Sequence, residues 1–211
     1  VIEKLAASLG RNDEQPNIEL AEELVRTKDR KGIAQIAKAL HNGNAQIVSD
    51  AIKVLYEIAE RDPSLVSDYT SDFISFLDSK NNRLVWGAMT ALSRVASLNP
   101  AEIFNHVEKI ISAYESGSVI TIDTAITVFA EIAKADPVYE EKIFPLIIRH
   151  LASCRAKEVP QHAERAFVCI TKRNEGEFTA VLNKRIGELS DSQKKRVDRI
   201  LKLIKEERFT E

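Results

Sequence analysis

The chain has 211 residues, 44% of them apolar and 29% charged, with a formal net charge of −2, which is enough to bury a substantial core as one domain or one continuous array. That charge argues against a protein built overall for nucleic acid, although residues 1–140 hold 14 Lys and Arg against 21 Asp and Glu while residues 141–211 hold 16 against 11, an acidic part followed by a basic one. No apolar run reaches the roughly 18 residues of a membrane span, and the first residues, VIEKLAASLG, lack the basic, apolar and cleavage regions of a signal peptide, so the expectation is a soluble, cytoplasmic protein without membrane insertion.

Residues 1 to 27 read as two short helices, around Ile2 to Leu9 and Ile18 to Val25, separated by the turn-rich RNDEQPN. They fit the following pattern poorly, as a terminal unit does when it has a neighbour on one side only and turns a polar face to water. From residue 28 to 173 the chain falls into four units with a step of 37 residues, kept by Pro63, Pro100 and Pro137 and by Asp62, Asn99 and Asp136 before them. Upstream, the same step relates Ala59, Ala96 and Ala133; Leu55, Leu92 and Phe129; Ala51, Ala88 and Ala125; and Val48, Val85 and Ile122. A period of this length is the mark of stacked supersecondary units.

Each unit reads as helix A, turn, helix B. Helix A carries Ile33, Ile36, Ala37 and Leu40 in the first unit, Phe73, Ile74 and Leu77 in the second, Val107, Ile110, Ile111 and Tyr114 in the third, and Phe144, Ile147, Ile148 and Leu151 in the fourth, one apolar stripe per helix. The turns HNGN, DSKNN, ESGS and SCRAKE, which end near residues 44, 82, 118 and 158, are mostly rich in residues that stop helices. Helix B turns Val48, Ala51, Ile52, Leu55 and Ala59 inward, and the small residues at 51, 88 and 125 allow close approach of A and B. The Asp/Asn–Pro pair caps the next helix A, the side-chain oxygen accepting from free N–H groups and the proline losing no hydrogen bond at the first position. Asn174 stands where the next proline is due, so the last junction is remodelled. Residues 174–211 read as a terminal unit with a helix over Phe178 to Ile186 and a final helix carrying Val197, Ile200, Leu201 and Ile204, opened by Ser190 or Ser192.

The helix B pattern Val48, Ala51, Leu55, then Val85, Ala88, Leu92, then Ile122, Ala125, Phe129, with the helix A segment IFPLIIRHL at 143–151 and its Pro145, resembles the HEAT-repeat family within the armadillo-like helical solenoids. The likeness runs over about residues 31–173. It implies an all-α fold, a right-handed α-α superhelix of about twelve helices in six antiparallel pairs, with 1–211 a single domain closed by capping units at both ends. It implies B helices lining a concave face, and a non-enzymatic scaffold that binds a protein or peptide partner. The arginine that often follows the helix B valine in that family is replaced here by Ser49, Trp86, Asp123 and Pro160.

Helical geometry then puts residues 46, 49, 53, 57 and 60 and their repeats on the outer side of helix B. Trp86, the only tryptophan, stands there between Arg83 and Arg94, the composition of an interface hot spot. The candidate partner-binding face is therefore Arg83, Trp86, Thr90, Arg94, Asp123 and Thr127; the alternative for Trp86 is a ring laid over the neighbouring repeat as packing. A second function is nucleic-acid binding. The combination of Trp86, Asp123 and Arg83 is similar to that of the HEAT-like alkylpurine DNA glycosylases, with Thr90 where their carboxylate is wanted, and Lys194, Lys195, Arg196, Arg199 and Lys202 form a basic patch. That patch reads equally as a solvated face diluted by Asp191, Asp198, Glu206 and Glu207, with Phe209 its one aromatic residue. Cys154 and Cys169 read as packing residues, and His41, His106, His150 and His162 as surface or capping groups. No metal, cofactor or catalytic set is expected, and the sequence leaves the oligomeric state open.

Overall fold

A computed structural model describes residues 1–206, and among them twelve α-helices and seven short 3-10 turns carry the regular structure. The chain enters through α1 (Gln15–Thr27) and continues with α2 (Arg30–Asn42) packed on α3 (Ala45–Arg61) and α4 (Thr70–Ser75) on α5 (Asn82–Val95), then in chain order the broken α6 (Pro100–Asn105) and α7 (Val107–Ser116) and α8 (Val119–Ala135), and finally α9 (Pro137–Ser153) with α10 (Val159–Ala166) and α11 (Glu175–Arg185) with α12 (Asp191–Glu206). Packing divides the chain into two compact units, Val1–Ala125 and Ile126–Glu211. In the first, α3 packs against α1, α2 and α5; in the second, α9 packs against α11 and α10 against α12. No helix among the described residues is long and apolar enough to cross a membrane.

Local chemistry explains several boundaries. Asp29 accepts from the N–H of Gly32, Asn44 from those of Gln46 and Ile47, and Asn81 from that of Arg83, so α2, α3 and α5 each open on a side-chain cap. The repeated alanines are the contact points: Ala51, Ala88 and Ala125 are all 0% exposed, as are Leu55, Leu92 and Phe129 one turn later. On the same face a Cβ at Gly87 would stand 3.0 Å from a side-chain carbon of Ile52, showing how closely α5 approaches α3.

The Asp/Asn–Pro junctions divide in their use. Asp62 and Asp136 do accept from the N–H groups of Ser64 and Val138. Asn99 makes no such cap; its amide donates instead to the Ser67 carbonyl at 2.7 Å and the Thr70 hydroxyl at 2.8 Å, fastening the end of one repeat to the start of α4. Pro63 opens only a 3-10 turn, and the second helix A is reduced to α4 between further 3-10 turns. The last junction is remodelled around Asn174, which is buried and bonds the Thr171 N–H, the Cys169 carbonyl and Glu140. At the start of α12 the N–H of Ser190 is held by the Gln193 side chain at 2.8 Å.

The helix expected over Ile2 to Leu9 does not form. Only Ile2–Lys4 make a 3-10 turn, and irregular turns follow to Gly10, whose φ of +68° suits glycine. Two side chains take the N–H groups that a helix would use internally: Asn17 accepts from Ala6 at 3.0 Å and Asp50 from Ala7 at 2.7 Å. The Asn17 amide donates to the other Asp50 oxygen at 2.8 Å, so one carboxylate on α3 knots the N-terminal segment to α1. Asp50→Ala strands two donors in a dry setting and is expected to cost about 1–3 kcal/mol in urea unfolding. An Asn17→Ala, Asp50→Ala double variant that simply summed the two single losses would show that the knot is not a unit.

Candidate functional site

The outer face of α3 and α5 in the first unit is a chain of alternating charges. Lys53 donates to Glu57 at 2.7 Å and meets Glu14 at 2.9 Å; Arg61 pairs with Glu57 and with Glu22, and Arg83 with Glu14 at 2.9 Å. The expectation that Lys53 is exposed is wrong, because Glu14, Glu57 and the Tyr56 ring, 4.8 Å from its ammonium, enclose it. Burial works against that ammonium, yet hydrogen bonds to Glu57, Tyr56 and Glu14 outweigh it and hold its pKa above the usual lysine value. Burial likewise pushes the Glu57 carboxyl up, and Lys53 and Arg61 overcome this and hold it below its ordinary value.

Trp86 sits half-buried in the middle of this face, its ring 5.6 Å from that of Tyr56 and tilted by 53°. The indole thus packs against Tyr56 of the preceding repeat and stays only partly covered. Arg83 is tied to Glu14, and Arg94 to Glu60 at 3.2 Å, so the cations flanking the indole are held in place. Thr90 offers little to a partner: it is 8% exposed and its hydroxyl donates to the Trp86 carbonyl. Asp123 is half-buried on α8. In the second unit the Thr127 hydroxyl accepts from Arg165 at 2.8 Å. Beside the α3–α5 face lies a polar groove of about 390 Å³ lined by Arg11, Asp13, Glu14, Gln46, Ser49 and Arg83 among others.

The basic patch lies on α12, whose Val197, Ile200 and Ile204 are buried on the opposite side. Arg196 is paired with Glu164, which that guanidinium holds below the usual carboxylate range, and Lys202 meets Glu206. Lys195, Arg199 and Lys202 are exposed, and Lys194 is half-buried. Phe209 lies outside the described residues.

Two of the four histidines do not follow the expectation of surface or capping groups. His41 is exposed against Asp72, and His106 is exposed at the break between α6 and α7. His150 and His162 are 6% and 2% exposed, with Nε2 of the first 2.7 Å from Nδ1 of the second. Cys154 lies beside them, half-buried, its sulfur within 4.8 Å of one nitrogen of each ring. The signal was the i, i+4 spacing of His150 and Cys154, which puts both on one face of a helix. Cys169 is a packing residue as expected, its thiol pushed up to about 12 by burial.

Comparison with known proteins adds the fold. A model of the family described as non-SMC mitotic condensation complex subunit 1 matches residues 18–118, less than half of the chain. No curated protein sequence matches. Among solved structures, a designed armadillo repeat protein in complex with the peptide (KR)4 is similar, with a TM-score of 0.68 at 14% identity over 87% of this chain and 85% of that one. A second designed armadillo repeat protein has a TM-score of 0.67 at 13% identity, covering 90% and 92%. An engineered protein has one of 0.64 at 20% identity, covering 97% and 96%. Apolar and alanine positions at a constant step, helix pairs built on those positions, and these likenesses make the chain an all-α solenoid of the HEAT/armadillo-like helical repeat class.

Proposed function

We propose that the protein is a non-enzymatic interaction scaffold that receives a protein or peptide segment on the α3–α5 face, with Trp86 as the anchor and Arg83 and Arg94 beside it. The observation that carries this reading is the Trp86 indole, backed by Tyr56 and only half-buried. An aromatic group with its orientation already fixed loses little entropy on binding, and Trp and Arg dominate interface energetics. The matched family model describes a subunit of a complex, and one similar designed protein holds a peptide; both support a role in which the repeats present a surface. Asp123, in the same unit, belongs to this reading, whereas Thr90 acts beneath the surface through its bond to the Trp86 carbonyl. Free Cys154 and Cys169 fit the reducing cytoplasm.

The test is affinity capture from cell lysate with wild type and Trp86→Ala in parallel, with and without nuclease, followed by affinity measurement on the captured partner. The expected result is a protein that survives nuclease treatment and binds Trp86→Ala about 30-fold more weakly, the effect of a hot spot worth about 2 kcal/mol. Recovery of nucleic acid alone, lost with rising salt and with Lys195→Ala, Arg199→Ala and Lys202→Ala together, would overturn the scaffold reading in favour of nucleic-acid binding through the basic patch.

A further inference from the structure

We propose that His150, Cys154 and His162 form a binding site for a borderline-soft divalent cation, Zn²⁺ by its donor set. His150 and Cys154 are four residues apart at the end of α9, so their side chains leave the same face one turn apart, and His162 meets them from α10. The two ring nitrogens and the sulfur lie within 4.8 Å of one another. Bonds of about 2.0–2.1 Å to nitrogen and 2.3 Å to sulfur place the ligand atoms of a tetrahedral site roughly 3.3–3.6 Å apart, so the two imidazoles, now 2.7 Å apart, must open slightly and the thiol must close in. Those are side-chain rotations, and the backbone has no need to move.

The surroundings favour this chemistry. Arg185, buried on α11, donates to the Leu151 carbonyl at 2.6 Å and to the Cys154 carbonyl at 2.7 Å, fixing the turn that carries the sulfur. Glu158 is held by Arg155 through both of its oxygens, so a water completes the four-coordinate shell. The imidazoles are enclosed while the sulfur is half-open, so an ion can arrive from the cysteine side. The proton balance is simple. The ring now donating across the His150–His162 contact moves its proton to its other nitrogen, both imidazoles bind neutral, and the thiol releases one proton per ion bound.

The test is titration of the tag-free full chain with Co²⁺, followed by displacement with Zn²⁺. One ion per chain is expected, with the absorption of four-coordinate Co²⁺ and a sulfur-to-metal charge-transfer band. Cys154→Ser, a change that keeps the shape of the side chain and the fold by circular dichroism, is expected to abolish the charge-transfer band and weaken binding at least tenfold. His162→Gln is expected to weaken it similarly, and His41→Ala with His106→Ala to leave it unchanged. Absence of binding at micromolar Co²⁺ and Zn²⁺, or binding that persists unchanged in Cys154→Ser, would overturn the proposal.

Discussion

Truncating Phe129 to alanine is expected to cost about 3–5 kcal/mol of folding free energy, read as a lower midpoint in urea unfolding. The side chain is 0% exposed and occupies the position where the two preceding repeats place Leu55 and Leu92. Removing a fully buried ring leaves a void that surrounding side chains fill only in part. Val138→Ala is the control, since Val138 is well exposed on α9, and its effect should stay within about 0.5 kcal/mol. A Phe129→Ala loss no larger than that control would refute the inward register assigned to helix B.

That register was legible because it rests on identity at a constant spacing. A 37-residue step in proline, alanine and leucine positions leaves few ways to fold, and of the residues it selected as inward Ala51, Leu55, Ala88, Leu92, Ala125 and Phe129 are fully buried, whereas Val48 and Ile122 at the start of helix B are only half-buried. Terminal segments obey a different constraint. The residues VIEKLAASLG have helical propensity, but Asn17 and Asp50 offer the backbone of Ala6 and Ala7 better partners than a marginal, short helix could. The segment's own residues do not announce that competition, because Asn17 lies 11 positions from Ala6 and Asp50 lies 43 from Ala7.

The candidate face was legible in its helical position and not in its burial. Counting turns placed Lys53 and Trp86 on the outside of helix B, where a lysine would be solvated. The structure instead brings Glu14, from the end of the N-terminal loop, across to both Lys53 and Arg83, which covers one cation and steadies the other. The same limit hid the His150–His162 pair: each histidine alone resembles a helix-end residue, and only the meeting of α9 with α10 removes both from water.

The Lys53–Glu57 pair also gives an expected dependence on pH. Lys53→Met keeps the aliphatic stem and removes the charge that faces Glu57 and Glu14, and is expected to cost about 2–4 kcal/mol at neutral pH. That is below the full cost of breaking a buried pair because Glu14 remains partly in water. Glu57 is held below its ordinary value of 4.5 in the folded chain. Its contribution is therefore fully present above the unfolded-state pKa and is lost as the pH falls through the lower folded-state pKa. Lys53 is shifted the other way, so its contribution is present below the ordinary lysine pKa and disappears only in strongly alkaline solution. Glu158 and Glu164, also held below their usual range, add to the acid loss in the wild type, so the informative quantity is the difference between wild type and Glu57→Gln. That difference should be about 1–3 kcal/mol at pH 7 and shrink steadily as urea unfolding is repeated down to pH 3. A difference that stays constant across this range would mean that Glu57 stabilises the fold through its shape and not through its charge.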